Sequence, residues 1–308
     1  MKKANDINNF EDASYKRKNK RGFSLEAKEQ INGYLFIIIP IIGFLIFSAA
    51  SICVSVYYSF TNFNPVMNVS KWVGFENYIT LFNDEEFISA LINTVVLLAS
   101  IPIGVTLGLL LAIYLKKLAH GSMLLSLIYY LPAITSAVAI NVIWRYIFNG
   151  EYGILNQLLG LDIYWIGEED QRLVKIAICI KSVWGAIGAT MILYLSGLNN
   201  ISKDYYEAAE VMGASKWQQL VNITIPLSNP TTFYLLVTGI IGGLQSYADS
   251  QILASGVSGG RTIVYYIWNY GINNSKYGLA CAASVFLAVC IIALSTIQFS
   301  RNKMFNLK

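Results

Sequence analysis

The chain has 308 residues, of which 55% are hydrophobic and only 13% charged, with a formal net charge of +4. Soluble domains carry roughly a quarter charged residues, so this composition excludes an ordinary soluble fold and predicts an all-α polytopic membrane protein. The sequence has no phosphate loop ending in Gly-Lys-Ser/Thr, no Gly-x-Ser-x-Gly elbow and no His-Glu-x-x-His helix, which argues against an ATPase or a hydrolase.

Residues 1–30 are polar and basic, with Lys16-Arg17-Lys18 and Lys20-Arg21. They contain no apolar stretch, so they are no cleavable signal peptide, and a largely disordered cytoplasmic tail is expected. A basic tail before a first span is an orientation signal rather than a nucleic-acid arm. Six membrane spans are then predicted, at about 33–60, 88–115, 122–148, 173–198, 229–253 and 276–299. Pro40 and Pro102 are expected to kink the first and second. With the N-terminus inside, the inner segments hold 15 of the 22 Lys and Arg residues, which predicts that both termini are cytoplasmic. Cys53, Cys179, Cys281 and Cys290 fall within spans and lack metal-ligand spacing, so no metal site is expected; His120 stands alone near an inner loop.

The first outer loop carries Trp72-Val73-Gly74-Phe75-Glu76-Asn77-Tyr78, then Phe82 and Phe87, an aromatic cluster suited to a membrane interface. In the third span Pro132 frees a backbone carbonyl at mid-membrane, which makes that helix a candidate cavity wall. Trp144 and Tyr146, near its outer end, suit interfacial anchors. Lys181-Ser182 lies about eight residues into the fourth span. A lysine at that depth snorkels, pairs with a partner or faces water, and marks a candidate substrate-path position. Gly185 and Gly188 suit close helix packing.

Between the fourth and fifth spans, at about 199–228, lies a polar, helix-prone stretch from Tyr205-Tyr206-Glu207-Ala208-Ala209 through Gly213 to Ile223-Thr224-Ile225-Pro226. Ser202 can cap a first helix, and Gly213 can end it in a left-handed conformation. Ser215 with Gln218 reads as a capping box for a second helix, and Pro226 suits the start of the next segment. Two short helices about a glycine hinge make a knob for a soluble partner. The fifth span holds Gly239, Gly242-Gly243 and then Gln245-Ser246-Tyr247-Ala248-Asp249, the densest polar cluster in any span. Amides, carboxylates and aromatic faces suit sugar hydroxyls and rings; the same residues also serve as helix–helix contacts. Ser255 to Thr262 is a Gly-rich outer loop, and Tyr277-Gly278-Leu279-Ala280-Cys281-Ala282-Ala283-Ser284 opens the last span with small residues.

Glu207-Ala208-Ala209, three residues, Gly213, nine residues and Ile223-Thr224-Ile225-Pro226 together resemble the EAA loop of ABC importer permeases. Further segments resemble carbohydrate-uptake permeases of the maltose and glycerol-phosphate type. They are the aromatic 72–78 segment, Leu131-Pro132, Ile143-Trp144, Gly153-Ile154-Leu155-Asn156, the Gly-rich loop and the start of the sixth span. Met212 stands where that branch usually has Asp, Ile225 where Leu is commoner, and Arg261 where Pro is usual.

The resemblance covers about residues 33–299 and implies a type I importer transmembrane domain over 31–308, with six helices. It implies a multi-pass subunit of a bacterial plasma membrane, in contact with lipid and with no nucleic acid. The partners it implies are a second, related permease, two ABC ATPase subunits that bind ATP and Mg, and an extracytoplasmic substrate-binding protein. This chain itself would bind no cofactor and catalyse no reaction. Glu207, Ala208, Ala209, Gly213, Ile223 and Pro226 would couple to the ATPase. Pro132, Lys181, Ser182, Gly243, Gln245, Ser246, Tyr247 and Asp249 are the candidates for the path of a sugar or oligosaccharide. A permease for amino acids, peptides or ions is the alternative, followed by a stand-alone carrier or channel; the latter conflicts with the lack of inverted repeats.

Overall fold

The computed structural model describes residues 25–67, 69–118 and 121–301. Most of the basic tail, His120, Lys303 and Lys308 lie outside these residues. The chain divides into two units, one up to Ser55 and one from Val56 onward. In the first unit, helix α1 (Leu25–Gly43) opens into a wide π turn (Phe44–Ala49) and resumes as α2 (Ala50–Ser59), which runs into the second unit. Residues 25–30, expected in the tail, are already helical; Leu-Glu-Ala-Lys-Glu-Gln is a run of strong helix formers. Helix α1 runs unbroken through Pro40, where a kink is expected, and the π turn begins one turn after it.

The second unit is helical, with only isolated bridges at Thr61–Trp72 and Asn64–Val69 among its described residues. A surface helix α3 (Glu76–Asn83) leads to the second span, built from α4 (Glu85–Leu97) and α5 (Ser100–Lys117). Asp84 caps α4 by accepting the Glu86 N–H at 2.9 Å. The expected effect of Pro102 falls one turn upstream of it. Proline offers no N–H to the Leu98 carbonyl, which takes the Ile101 N–H at 3.0 Å instead, and the helix breaks between α4 and α5.

The third predicted span is two helices, α6 (Ser122–Ile134) and α7 (Ala137–Ile147), bent by 96°. Thr135 and Ser136 are extended just after Pro132, and nothing in the continuous hydropathy marks that corner. After the short α8 (Ile154–Leu159) comes α9 (Gln171–Asn199), capped by Asp170 and packed at the centre of the unit. A side chain at Gly108 of α5 would come within 2.0 Å of the Thr190 hydroxyl of α9, and one at Gly188 within 1.9 Å of the Tyr129 carbonyl of α6. These close approaches explain the small residues at 108 and 188. Gly185, by contrast, has nothing within 4 Å of the space a side chain would take.

The fifth predicted span is also interrupted. Helix α13 (Asn229–Leu244) ends at Gln245, and a π turn (Asp249–Leu253) follows an irregular stretch. Helix α14 (Ile263–Trp268) and a further π turn lead to α15 (Tyr277–Arg301). Four helices among the described residues are long and apolar enough to cross a membrane, or five if the bent α6–α7 pair counts as one span, against the six expected. The sixth candidate, α13, has 16 residues because the Gly242-Gly243 pair and the polar run after it stop the helix early. Three apolar clusters hold the unit together, centred on Phe87 with Tyr266, on Tyr194 with Leu115, and on Phe148 with Ile178.

Candidate functional site

The 199–228 stretch folds from local signals. Ser202 accepts the Asp204 N–H at 3.3 Å and opens helix α10 (Lys203–Val211). Gly213 ends it at φ +79°. The Ala214 N–H reaches back to the Ala209 carbonyl and the Gly213 N–H to that of Glu210, both at 2.9 Å, closing a Schellman motif. Ser215 and Gln218 then form the expected capping box at α11 (Lys216–Gln219). The chain widens into a π turn (Leu220–Thr224) before α12 (Ile225–Leu227), where Pro226 occupies the first turn. The Tyr206 hydroxyl meets Thr224 at 3.0 Å and fixes the first helix against the second segment.

The knob has a distinct outer surface. Ala209 is buried, while Glu207 and Ala208 face solvent. Around the glycine turn Val211, Met212 and Trp217 are 90%, 79% and 71% exposed. Exposed apolar side chains grouped in this way are typical of protein or membrane interaction surfaces. Sequence reading singled out the glutamate and the glycine, noted Met212 only as a departure from the family pattern, and passed over Val211 and Trp217; the signal was bulky apolar residues flanking a glycine within an otherwise polar interval.

The expected substrate-path residues separate into two groups. Asp249, at the break after α13, pairs with Lys181 of α9, and both side chains are largely buried. The second Asp249 oxygen accepts from the Ser246 hydroxyl at 3.2 Å, and the Ser246 carbonyl accepts from Thr262 at 2.7 Å. Lys181 therefore has a partner rather than a snorkelling path. Ser182, Gly243, Ser246 and Asp249 line a recess of about 450 Å3 with Ser100, Thr190, Tyr234 and Thr238. Much of its wall is apolar, from Leu97, Ile101, Val105, Ile178, Leu193 and Leu235, with the hydroxyls and glycine backbone set among them, and its one carboxylate is already neutralised by Lys181. Gly243 also serves packing, since a side chain there would meet Leu98 at 2.8 Å. Pro132, Lys181, Gln245 and Tyr247 are not on this wall; the Tyr247 ring lies 5.6 Å from that of Trp268.

The Gly-rich loop is held by Glu168 and Asn93, which sequence reading did not single out, and by its own Arg261. Glu168 accepts the Ser258 N–H at 3.0 Å and the Ser258 hydroxyl. These hydrogen bonds, the hydroxyl first, lower the Glu168 pKa below the ordinary carboxylate value. Asn93, fully buried in α4, donates to the Ser258 and Arg261 carbonyls at 2.9 and 3.0 Å. Arg261 reaches Glu86 at 3.2 Å and the Gly256 carbonyl at 2.7 Å, so the residue that departs from the family pattern has work as a loop anchor. Tyr266 donates to Asp84 at 2.6 Å, and burial, helped by that acid, raises its pKa well above the ordinary phenol value. Asn77, from the aromatic segment, donates to the Ser59 and Thr61 carbonyls at 2.8 and 2.9 Å and fixes the turn after α2.

Among known proteins, the chain is 31% identical over 285 residues to a probable ABC transporter permease, YesP, of Bacillus subtilis (strain 168), covering 89% of this chain and 91% of that protein. It is 30% identical over 289 residues to the lactose transport system permease LacF of Rhizobium radiobacter, covering 90% and 95%. A chain of a bacterial ABC transporter involved in the import of the acidic polysaccharide alginate superposes with a TM-score of 0.78 at 26% identity, over 89% of this chain and 96% of that one. Residues 87–306 match the model of the family described as binding-protein-dependent transport system inner membrane component. The match spans the recess, the clamped loop and the capped knob alike, and the chain belongs to that family of ABC transporter permeases.

Proposed function

We propose that this chain is one of two permease subunits of a binding-protein-dependent ABC importer for a sugar or oligosaccharide. In this reading it crosses the bacterial plasma membrane six times, with both termini in the cytoplasm. The third crossing is the bent α6–α7 pair. The fifth combines α13, about 24 Å long at 1.5 Å per residue, with the π turn at Asp249–Leu253, against a hydrocarbon core of roughly 30 Å. Irregular backbone at that depth is stable against protein or a wet cavity, and the 450 Å3 recess beside it supplies one.

The observation that carries the reading is the knob, with an exposed Glu207 face, a glycine-fixed angle and an apolar tip at Val211, Met212 and Trp217. Two ATPase subunits that bind ATP and Mg supply the energy, and one docks on this knob. Closure of the ATPases pushes α10 and α11. The Tyr206–Thr224 contact and the continuous run through α12 into α13 carry that push to the wall of the recess. Ser182, Ser246 and Asp249 face a solute rich in hydroxyls, and the names of the lactose and alginate relatives support a saccharide. The second permease supplies the opposite wall, and an extracytoplasmic binding protein meets the end that holds the 255–262 loop.

Co-purification in mild detergent tests this reading. The wild type is expected to bring down an ATPase and a second permease, identified by mass spectrometry, and Glu207→Ala to bring down markedly less ATPase. A folded wild type that elutes alone, without ATPase activity, contradicts the proposal.

A further inference from the structure

Beside the knob lies a second recess, of about 500 Å3, to which the transport reading assigns no ligand. Ile113, Lys116 and Lys117 of α5, Leu198 at the end of α9, and Lys216 and Leu220 of the loop form most of its wall. No carboxylate is among its lining residues. Lys216 pairs with Glu210 at the rim, and the charge of Lys203 acts on Lys116 from nearby. Lys116 donates to the Leu198 carbonyl at 2.5 Å, which places its ammonium at the negative end of α9. Among the described residues neither Lys116 nor Lys117 has a carboxylate within ion-pair distance. The recess thus carries more positive charge than its surroundings neutralise.

The arrangement along α5 defines the ligand. Ile113 lies one turn nearer the apolar middle of the span than Lys116 and Lys117, on the same face. Leu220 continues the apolar wall. Apolar side chains on the membrane side and ammonium groups at the surface match a molecule with an acyl chain and an anionic head. A free anion would leave the apolar wall unused, and a neutral lipid would leave the lysines unpaired.

We propose that this recess binds the phosphate head of an anionic phospholipid, with part of an acyl chain against Ile113 and Leu220. Lys116 and Lys117 hold the phosphate, and Tyr206, Lys216 and Thr224 place it against the two segments of the knob, so occupancy ties the knob to the membrane surface. The inference rests on the reading of residues 199–228 as a membrane-surface docking element.

The test uses the full chain, with whatever subunits co-purify, in nanodiscs of phosphatidylcholine with graded dioleoylphosphatidylglycerol. Native mass spectrometry counts the lipids retained after release. Wild type is expected to keep one phosphatidylglycerol that Lys116→Gln/Lys117→Gln loses, with apparent affinity falling about thirtyfold for two lysines near an anionic surface. Lys116→Arg/Lys117→Arg is expected to retain it, which separates lost charge from lost folding. Lys175→Gln/Lys276→Gln, at the opposite end, is expected to behave as wild type. Equal retention of phosphatidylcholine, equal retention by the Gln pair, or displacement of the lipid by millimolar inorganic phosphate would each overturn the proposal, the last by showing a free-phosphate site. The ATPase recovered with the same samples keeps the two readings apart. Lost lipid selectivity with ATPase still bound defeats only the lipid site, whereas retained lipid without ATPase defeats only the importer reading.

Discussion

Lys181 and Asp249 each hold the other's charge at a depth where neither could remain alone. Removing one partner of a buried pair leaves an uncompensated charge and costs about 3–5 kcal/mol, whereas replacing both with apolar groups is often close to neutral. Lys181→Met and Asp249→Leu are therefore expected to lower the thermal midpoint in detergent strongly when single, and far less than additively when combined. Additive losses across that double-mutant cycle would show that the pair is not an energetic unit. Glu168 makes a pH-dependent contact of the opposite sort, at the surface. Its folded pKa is lowered by the Ser258 hydroxyl, so its contribution is complete above the unfolded value of about 4.3 and is lost as pH falls through the lowered folded value. Hydrogen exchange at the 255–262 loop, corrected for intrinsic rate, is expected to speed up on acidification in the wild type. In Glu168→Gln it should already be fast at neutral pH; an unchanged loop in that variant would show that the clamp is idle.

At the scale of elements, glycines separate packing positions from open ones. Gly108→Ala forces α5 away from Thr190 and is expected to destabilise by about 1–3 kcal/mol, the range for overpacking. Gly185→Ala meets nothing and is expected to be neutral or to stabilise by up to about 1 kcal/mol through helix propensity. Thermal unfolding of the two side by side checks this, and equal effects would mean that the α5–α9 approach is looser than the structure has it. The knob was the most legible part of the sequence, because its signals are local. Ser202, Gly213 and the Ser215–Gln218 pair each act within a few residues, and the structure places all of them as their chemistry demands. The 96° corner at Thr135–Ser136 was not legible, because a proline within an apolar run predicts a kink and not its size. At Gln245 the glycine pair and the polar run were visible, but they suit the lining of a continuous helix as well as its end. Asn93 was invisible because its partners lie more than 160 residues away in the chain. The depth of Lys181 could be read from its position, and its partner could not.

Across the whole second unit, rigidity and exposure lie at different places. The 255–262 loop is held by Glu168, Asn93 and Arg261, while the 199–228 knob leaves its most apolar side chains in water. A clamped end suits a surface that must present a fixed shape to a delivered solute. An exposed, angle-fixed knob suits a surface that receives force. The recess between α5, α9 and α13 lies along the run of chain that leaves the knob. Contact between the knob tip and an ATPase is the central requirement of this mechanism. A photo-crosslinking amino acid in place of Met212, with a second version in place of Ile79 as control, tests it in intact cells. Illumination is expected to join the Met212 variant to an ABC ATPase, identified by mass spectrometry, and to leave the Ile79 variant free of it. If the Met212 variant forms no such adduct while remaining folded and expressed, the knob does not dock an ATPase and the importer mechanism proposed for this chain is wrong.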